Sequence, residues 1–171
     1  MRVILFIGHH KVGSSALQRY LAKNALALLR QGILYPAIEA TGMQRLRSYI
    51  AAAMTDPLHV NIREAHNALA FSMMSDITGK PVPALHTNLP STDTMLANIR
   101  TQIDRHRPHT VILASEVMAN FGSMETTLIT RLLANFAGAD VTVTATLRRV
   151  DDYLVSWLGQ RLRFGHTPPR L

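Results

Sequence analysis

The sequence predicts an α/β fold, a three-layer α/β/α sandwich around a parallel sheet, formed as one domain over residues 1–171. Three observations predict it. Short runs rich in β-formers alternate with stretches of helical period, which is the chain order of parallel-sheet proteins. The first run, Val3–Ile7, is continuously apolar, as a strand buried on both faces must be. The chain has 171 residues, 47% of them hydrophobic and only 17% charged, enough to bury a real core and unlike a disordered segment.

Val3–Ile7 ends at Gly8. From Ser14 the period changes to that of a helix carrying Leu17, Tyr20, Leu21 and Leu28, with Gly32 as its stop. "GILYP" (Gly32–Pro36) reads as a connection. Two helical stretches follow, around Met43–Met54 and Ile62–Ser75, separated by "TDPLHVN". The segment "TGKPVPALHTNLPSTD" has three prolines and reads as a long exposed loop. Thr92–His106 is helical, Thr110–Ser115 is a second strand, and Ser123–Phe136 is an amphipathic helix stopped by Gly138. Asp140–Arg148, "DVTVTATLR", is a third strand, followed by a helix from Val150 to about Phe164. No internal repeat is present.

Composition narrows the partners. Eighteen Lys and Arg against eleven Asp and Glu give a formal charge of +7 with the eight histidines neutral, a balance that favours anionic ligands. The basic residues are dispersed and not gathered on one aromatic-studded face, so nucleic acid is not the expected partner. There is no cysteine, which removes disulfides and thiolate metal sites and fits a cytoplasmic protein. "RVILFIG" is too short for a secretory leader, and no apolar run reaches membrane-spanning length, so no integral membrane association is expected.

The stretch with most chemical content is "GHHKVGSS", residues 8–15. Gly8 and Gly13 have the spacing of a phosphate-binding P-loop, between a strand and a helix N-terminus. First-turn amides there lack intrahelical partners, and the helix dipole favours an anion. The lysine that a nucleotide-hydrolysing loop carries after its second glycine is replaced by Ser14, and Lys11 stands two residues before Gly13. The next strand ends Ser115–Glu116, without the aspartate that would hold magnesium. Alternatively, Ser14 or Ser15 simply caps the helix of an ordinary turn.

"FIGHHKVGSSALQRYL" resembles the 5′-phosphosulfate-binding loop of the sulfotransferases that use 3′-phosphoadenosine 5′-phosphosulfate. Their Lys-x-Gly-[Ser/Thr]-[Ser/Thr] pattern is matched by Lys11, Val12, Gly13, Ser14 and Ser15. "GILYP" and "SSALQ" look like the bacterial, carbohydrate-type branch. The family's second signature, an arginine ending a later strand and a serine eight residues on, is matched in "LRRVDDYLVSW" by Arg148 and Ser156. The resemblance spans most of the chain in order and implies a P-loop-like fold with two phosphate grips on the donor. Val150 departs from the proline that relatives often carry there. Arg148 and Arg149 precede a helix N-terminus, where cations are disfavoured unless an anion binds; alternatively, Asp151 and Asp152 compensate and both arginines face solvent.

The same resemblance implies sulfuryl transfer to a hydroxyl or amine of a carbohydrate or glycolipid acceptor, with no metal required. Lys11 would stabilise the leaving oxygen. Glu116 would be the general base, at the sheet edge where ligands of open α/β folds bind. The competing role for Glu116 is an ion pair with Lys11 or the start of the next helix. His10, Tyr35 and His66 are the candidate acceptor contacts, with Tyr35, Trp157 and Gln160 lining the groove; taken singly, a histidine, tyrosine or tryptophan more often has a structural role. His9 could contact either substrate, whereas His59, His86, His106 and His109 have no ligand spacing. Two other functions fit parts of the pattern: a P-loop phosphotransferase with Glu116 on the magnesium side, and a non-catalytic basic anion-binding module.

Three readable strands make a thin sheet, "GHTPPRL" follows soon after a helix, and the family continues further. The resulting expectation is a shortened or partial domain lacking C-terminal elements, with an apolar sheet edge left open.

Overall fold

A computed structural model describes residues 1–51, 58–163 and 165–166. Strands β1 (Arg2–Phe6), β2 (Ile33–Leu34), β3 (Thr110–Ala114) and β4 (Asp140–Thr144) form one all-parallel sheet in the order β2-β3-β1-β4. The helices are α1 (Ser14–Lys23), α2 (Ala25–Arg30), α3 (Gly42–Ala51), α4 (Val60–Arg63), α5 (Ala65–Thr78), α6 (Thr92–His106), α7 (Phe121–Met124), α8 (Thr126–Leu133) and α9 (Val150–Arg163), with 3-10 turns at Glu116–Asn120 and Ala134–Phe136.

Side chains alternate across the sheet, and two cores result. Val3, Leu5, Val111 and Leu113 point to one face and pack with Leu69 and Met73 of α5, Met95 and Ile99 of α6, and Leu128 and Leu132 of α8. Phe6, Ile112 and Ala114 point to the other and meet Leu21 and Ala22 of α1, Ala25 of α2 and Leu46 of α3. Helices therefore cover both faces of a parallel sheet, as the alternating sequence pattern predicts.

The fourth strand is the main departure. Ile33–Leu34 lies within "GILYP", which reads as a connection, yet it pairs in parallel with Thr110 and Val111. Two residues are too few to display a period, so only pairing defines this strand. The helix expected from Ser14 to Gly32 is divided at Asn24, whose side chain donates to the Tyr20 carbonyl at 2.8 Å. Glu64 separates α4 from α5, and Glu125, in extended conformation, separates α7 from α8. The expected single helix over 123–136 is thus two helices and a 3-10 turn. Met54 and Phe164, expected helix ends, and the terminal "TPPRL" lie outside the described residues.

Beyond β4 the chain keeps pairing with the β1 loop. Ile7 donates to the Thr144 carbonyl (2.9 Å), His9 to that of Thr146 (3.0 Å), and Thr146 to that of Gly8 (2.6 Å). β4 is an edge strand with Val143 57% exposed, Leu147 just past it is 82% exposed, and α9 buries none of its residues. The exposed residues of β4 itself alternate between Val143 and the polar Asp140, Thr142 and Thr144. Among the described residues, no helix is long and apolar enough to cross a membrane.

The topology places a crevice. β1 leads through its loop to α1 on one face, whereas the neighbouring β3 leads through α7 and α8 on the other. Adjacent parallel strands whose connections leave to opposite faces open a gap at their C-terminal ends, where α/β proteins bind ligands. Residues 8–13 and Glu116 lie at that gap.

Candidate functional site

The loop between β1 and α1 depends on positive-φ backbone. Gly8 (φ 99°), Lys11 (φ 65°) and Gly13 (φ 89°) occupy the left-handed half of conformational space, and two of the three are the residue that enters it at little cost. Gly13 is the N-cap of α1, and no side chain caps this helix. The alternative in which Ser14 or Ser15 is the cap does not hold. Both serines are instead the first helical residues, with amides that have no acceptor inside the helix. Ser14 is buried and Ser15 exposed.

Gly8 has a second constraint. A Cβ built on it would lie 2.8 Å from the Cβ and 2.9 Å from the Cα of Glu116, so the two connections touch through their backbones. Glu116 follows β3 as the first residue of a 3-10 turn whose cap is Ser115, the hydroxyl of which accepts from the Val117 amide at 3.2 Å. It does begin a helical turn, but it forms no ion pair with Lys11. Its carboxylate is held by amides: Gln18 Nε2 donates to Oε2 at 2.6 Å and Asn67 Nδ2 to Oε1 at 3.4 Å. Asn67 Oδ1 in turn accepts from Ser115 Oγ at 2.7 Å and from Gln18 Nε2 at 3.3 Å. Gln18 and Asn67 are buried, so α1, α5 and the end of β3 are joined around one carboxylate.

The C-terminal part reaches the same place. Arg148 Nη1 donates to the Lys11 carbonyl at 3.3 Å. Arg149 turns away and pairs with Asp151 through contacts of 3.2 and 2.7 Å. The two arginines therefore divide the alternatives between them, one facing the loop and one neutralised by a first-turn aspartate. A cavity of about 350 Å³ opens between the loop and α9, lined by Lys11, Gly13, Ser14 and Ser15 from one side and Arg148 and Ser156 from the other. His10, Glu116 and Gln160 complete its wall. Val12 does not line it. Half-burial lowers the pKa of His10, with His9 and Lys11 adding to the shift and Glu116 opposing it.

Two expected acceptor contacts, Tyr35 and His66, lie away from the loop cavity. Tyr35 and His66 are 4% and 0% exposed, packed edge to face at 4.5 Å beneath the sheet edge. His66 Nδ1 accepts from the Ala114 amide at 3.0 Å, so its proton sits on Nε2, which donates to the Pro36 carbonyl at 3.0 Å. Burial pushes its pKa down to about 4, the hydrogen bond to Pro36 opposing. It is a neutral strut between β3 and the segment after β2. Burial likewise holds the Tyr35 phenol well above its ordinary pKa, with Glu64 and Glu116 acting in the same direction, and its hydroxyl has no partner among the described residues. Tyr35 lines a separate small cavity with Pro36, Met43 and Leu46, and neither Tyr35 nor His66 lines the cavity that holds Lys11 and Glu116.

Gln18 and Asn67 are what residue-type reasoning misses. One signal was available: Gln18 lies four residues after Ser14 and three before Leu21, on the inward stripe of α1, where an amide needs a polar partner.

Comparison of the chain with protein-family models, curated proteins and solved structures finds no significant match.

Proposed function

We propose that the chain is a P-loop-like sulfotransferase that takes its sulfuryl group from 3′-phosphoadenosine 5′-phosphosulfate and transfers it to a hydroxyl or amine of a carbohydrate or glycolipid. The observation that carries this reading is the meeting of two phosphate grips in one cavity. Lys11, Ser14 and Ser15 approach from the first loop, and Arg148 and Ser156 from the far end of the chain. The hydrogen bond from Arg148 to the Lys11 carbonyl ties positions 137 residues apart. A loop serving only as a turn has no need of the second grip.

In this reading the α1 amides and Lys11 receive the 5′-phosphosulfate, and Arg148 with Ser156 receives the 3′-phosphate. The donors fit such a ligand: the cavity lining holds two full cations and three hydroxyls against one carboxylate, Glu116. In the transfer the acceptor oxygen bonds to sulfur as the sulfur–oxygen bond to the 5′-phosphate breaks. The leaving phosphate keeps that electron pair, beside Lys11, and the acceptor proton passes to Glu116. Gln18 and Asn67 hold the carboxylate in place for that proton. In this reading Lys11 and the loop amides supply the positive charge that a metal provides in phosphoryl transfer.

Calorimetric titration tests the reading. Adenosine 3′,5′-bisphosphate is expected to bind saturably in chelator and to resist displacement by ATP with magnesium. Tighter binding of ATP with magnesium would replace this function with a phosphotransferase. Binding of polyanions without selectivity for the bisphosphate would replace it with a basic anion-binding module.

A further inference from the structure

A second cavity of about 300 Å³ adjoins the first, sharing His10, Lys11 and Gln160 with it. Its other wall is His166 and one stripe of α9: Tyr153, Trp157 and Arg161 follow at intervals of four and therefore stack along a single helix face. Ser156 and Gln160, on the adjoining stripe, line the first cavity. The helix thus divides its polar residues between two neighbouring spaces. The second is aromatic and cationic. The Arg161 guanidinium lies 4.8 Å from the centroid of the Trp157 ring, and Tyr153 is braced edge to face against His9 at 5.3 Å. Among the described residues no carboxylate lines this cavity, and neither Lys11 nor Arg161 is ion-paired.

We infer that this second cavity is the acceptor subsite and that it takes a saccharide bearing a carboxylate or sulfate, its ring lying on Trp157 and its anionic group on Arg161. The inference rests on the sulfotransferase reading for its purpose but not for its chemistry. An open indole face suits the apolar face of a sugar ring, and the Trp157 residue as a whole is 40% exposed. A guanidinium held over that indole ring, with no carboxylate partner among the described residues, is a prepared grip for a planar anion. A neutral sugar would use the indole and leave the guanidinium uncompensated. The shared wall of His10 and Lys11 then sets the acceptor's reactive group beside the transfer site.

Trp157 is the chain's sole tryptophan, so intrinsic fluorescence reports on this cavity directly. The full chain is titrated with β-glucuronyl-N-acetylglucosamine and with its neutral counterpart β-glucosyl-N-acetylglucosamine, which differ only in one carboxylate. The acidic disaccharide is expected to change Trp157 emission and bind about tenfold more tightly, the factor of one added charge-assisted contact. In Arg161→Gln that preference should fall to about twofold or less. Arg161 lies on a helix with no buried residue, so the variant should fold, and a far-UV spectrum matching the parent's verifies it. Equal affinities in the parent, or an undiminished preference in the variant, overturn the inference. So does loss of disaccharide binding in saturating adenosine 3′,5′-bisphosphate, which would give the cavity to the donor's base, or tighter binding of a single-stranded oligonucleotide. Bisphosphate binding without disaccharide binding sinks the subsite and leaves the proposed function standing. Arg161-dependent disaccharide binding without bisphosphate binding does the reverse.

Discussion

Gln18 Nε2 donates to Glu116 Oε2 across 2.6 Å, a contact between residues 98 positions apart that seats the first turns of α1 against the end of β3. A fully buried amide spent on one carboxylate oxygen fixes that carboxylate's rotamer. Among the described residues Gln18 Oε1 has no partner, so the hydrogen bonds to Glu116 and Asn67 orient the side chain. Hydrogen bonds to charged groups contribute about 1.5–3 kcal/mol. Gln18→Ala should therefore lower turnover by roughly tenfold or more while donor affinity stays nearly constant. Gln18→Glu, which sets a second carboxylate against the first, should be worse. Steady-state kinetics with calorimetry of the bisphosphate checks both, and an Ala variant with full turnover would remove Gln18 from any positioning role.

Glu116 and Lys11 should separate kinetically. Glu116→Gln keeps the side chain's size and is expected to cost about 100-fold in turnover, with donor binding spared. Lys11→Ala should weaken donor binding and turnover together. A fully active Glu116→Gln enzyme would mean that another group accepts the proton.

The two arginines offer a contrast within one dipeptide. Arg148 reaches the loop, whereas Arg149 is paired with Asp151. Arg148→Ala should weaken adenosine 3′,5′-bisphosphate by about 1.5–3 kcal/mol, the cost of a charge-assisted contact. Adenosine 5′-phosphosulfate, which lacks the 3′-phosphate, should hardly register the change. Arg149→Ala should alter neither by more than about 0.5 kcal/mol, as for a surface pair. Equal losses from both substitutions would show that only overall charge matters.

Gly8 and Gly13 both need positive φ, but only Gly8 is crowded. Gly13 has open space where a Cβ would go, so Gly13→Ala should cost about 1–2 kcal/mol of stability, the left-handed penalty alone. Gly8→Ala adds a clash with the Glu116 backbone and should cost more, by urea denaturation, and displace Glu116 as well. Equal losses would contradict that close approach.

Acid should destabilise the fold through His66. Its folded pKa is lowered to about 4 from 6.5, so below pH 6.5 the unfolded chain binds a proton that the native chain refuses. The contribution is fully present above about pH 6.5 and is lost as pH falls towards 4, up to about 3 kcal/mol. His10 and His86, whose pKa values burial also lowers, act in the same direction. His66→Gln should flatten the stability curve over this window, whatever it costs at pH 8. An unchanged slope would show that His66 is not the principal proton-linked group.

Much of the architecture was legible because it is local. Val3–Ile7 and Thr110–Ser115 are apolar enough to be buried strands in any context, and Thr92–His106 carries its helical period within one segment. The loop was legible for the same reason: glycines at 8 and 13 are needed wherever that turn forms. Three things lay beyond local reading. Ile33–Leu34 is a strand only because Thr110 and Val111 offer it an edge. Tyr35 and His66 carry the chemistry of ligand contacts, yet burial beneath the sheet edge made them a packed pair with a neutral imidazole. Gln18 and Asn67 became partners of Glu116 only when α1, α5 and β3 converged. Residue type and spacing determine what a segment can form and which groups it can offer. Which groups meet, which face water and which are consumed in holding one another depend on contacts between distant positions, and only the tertiary fold decides those.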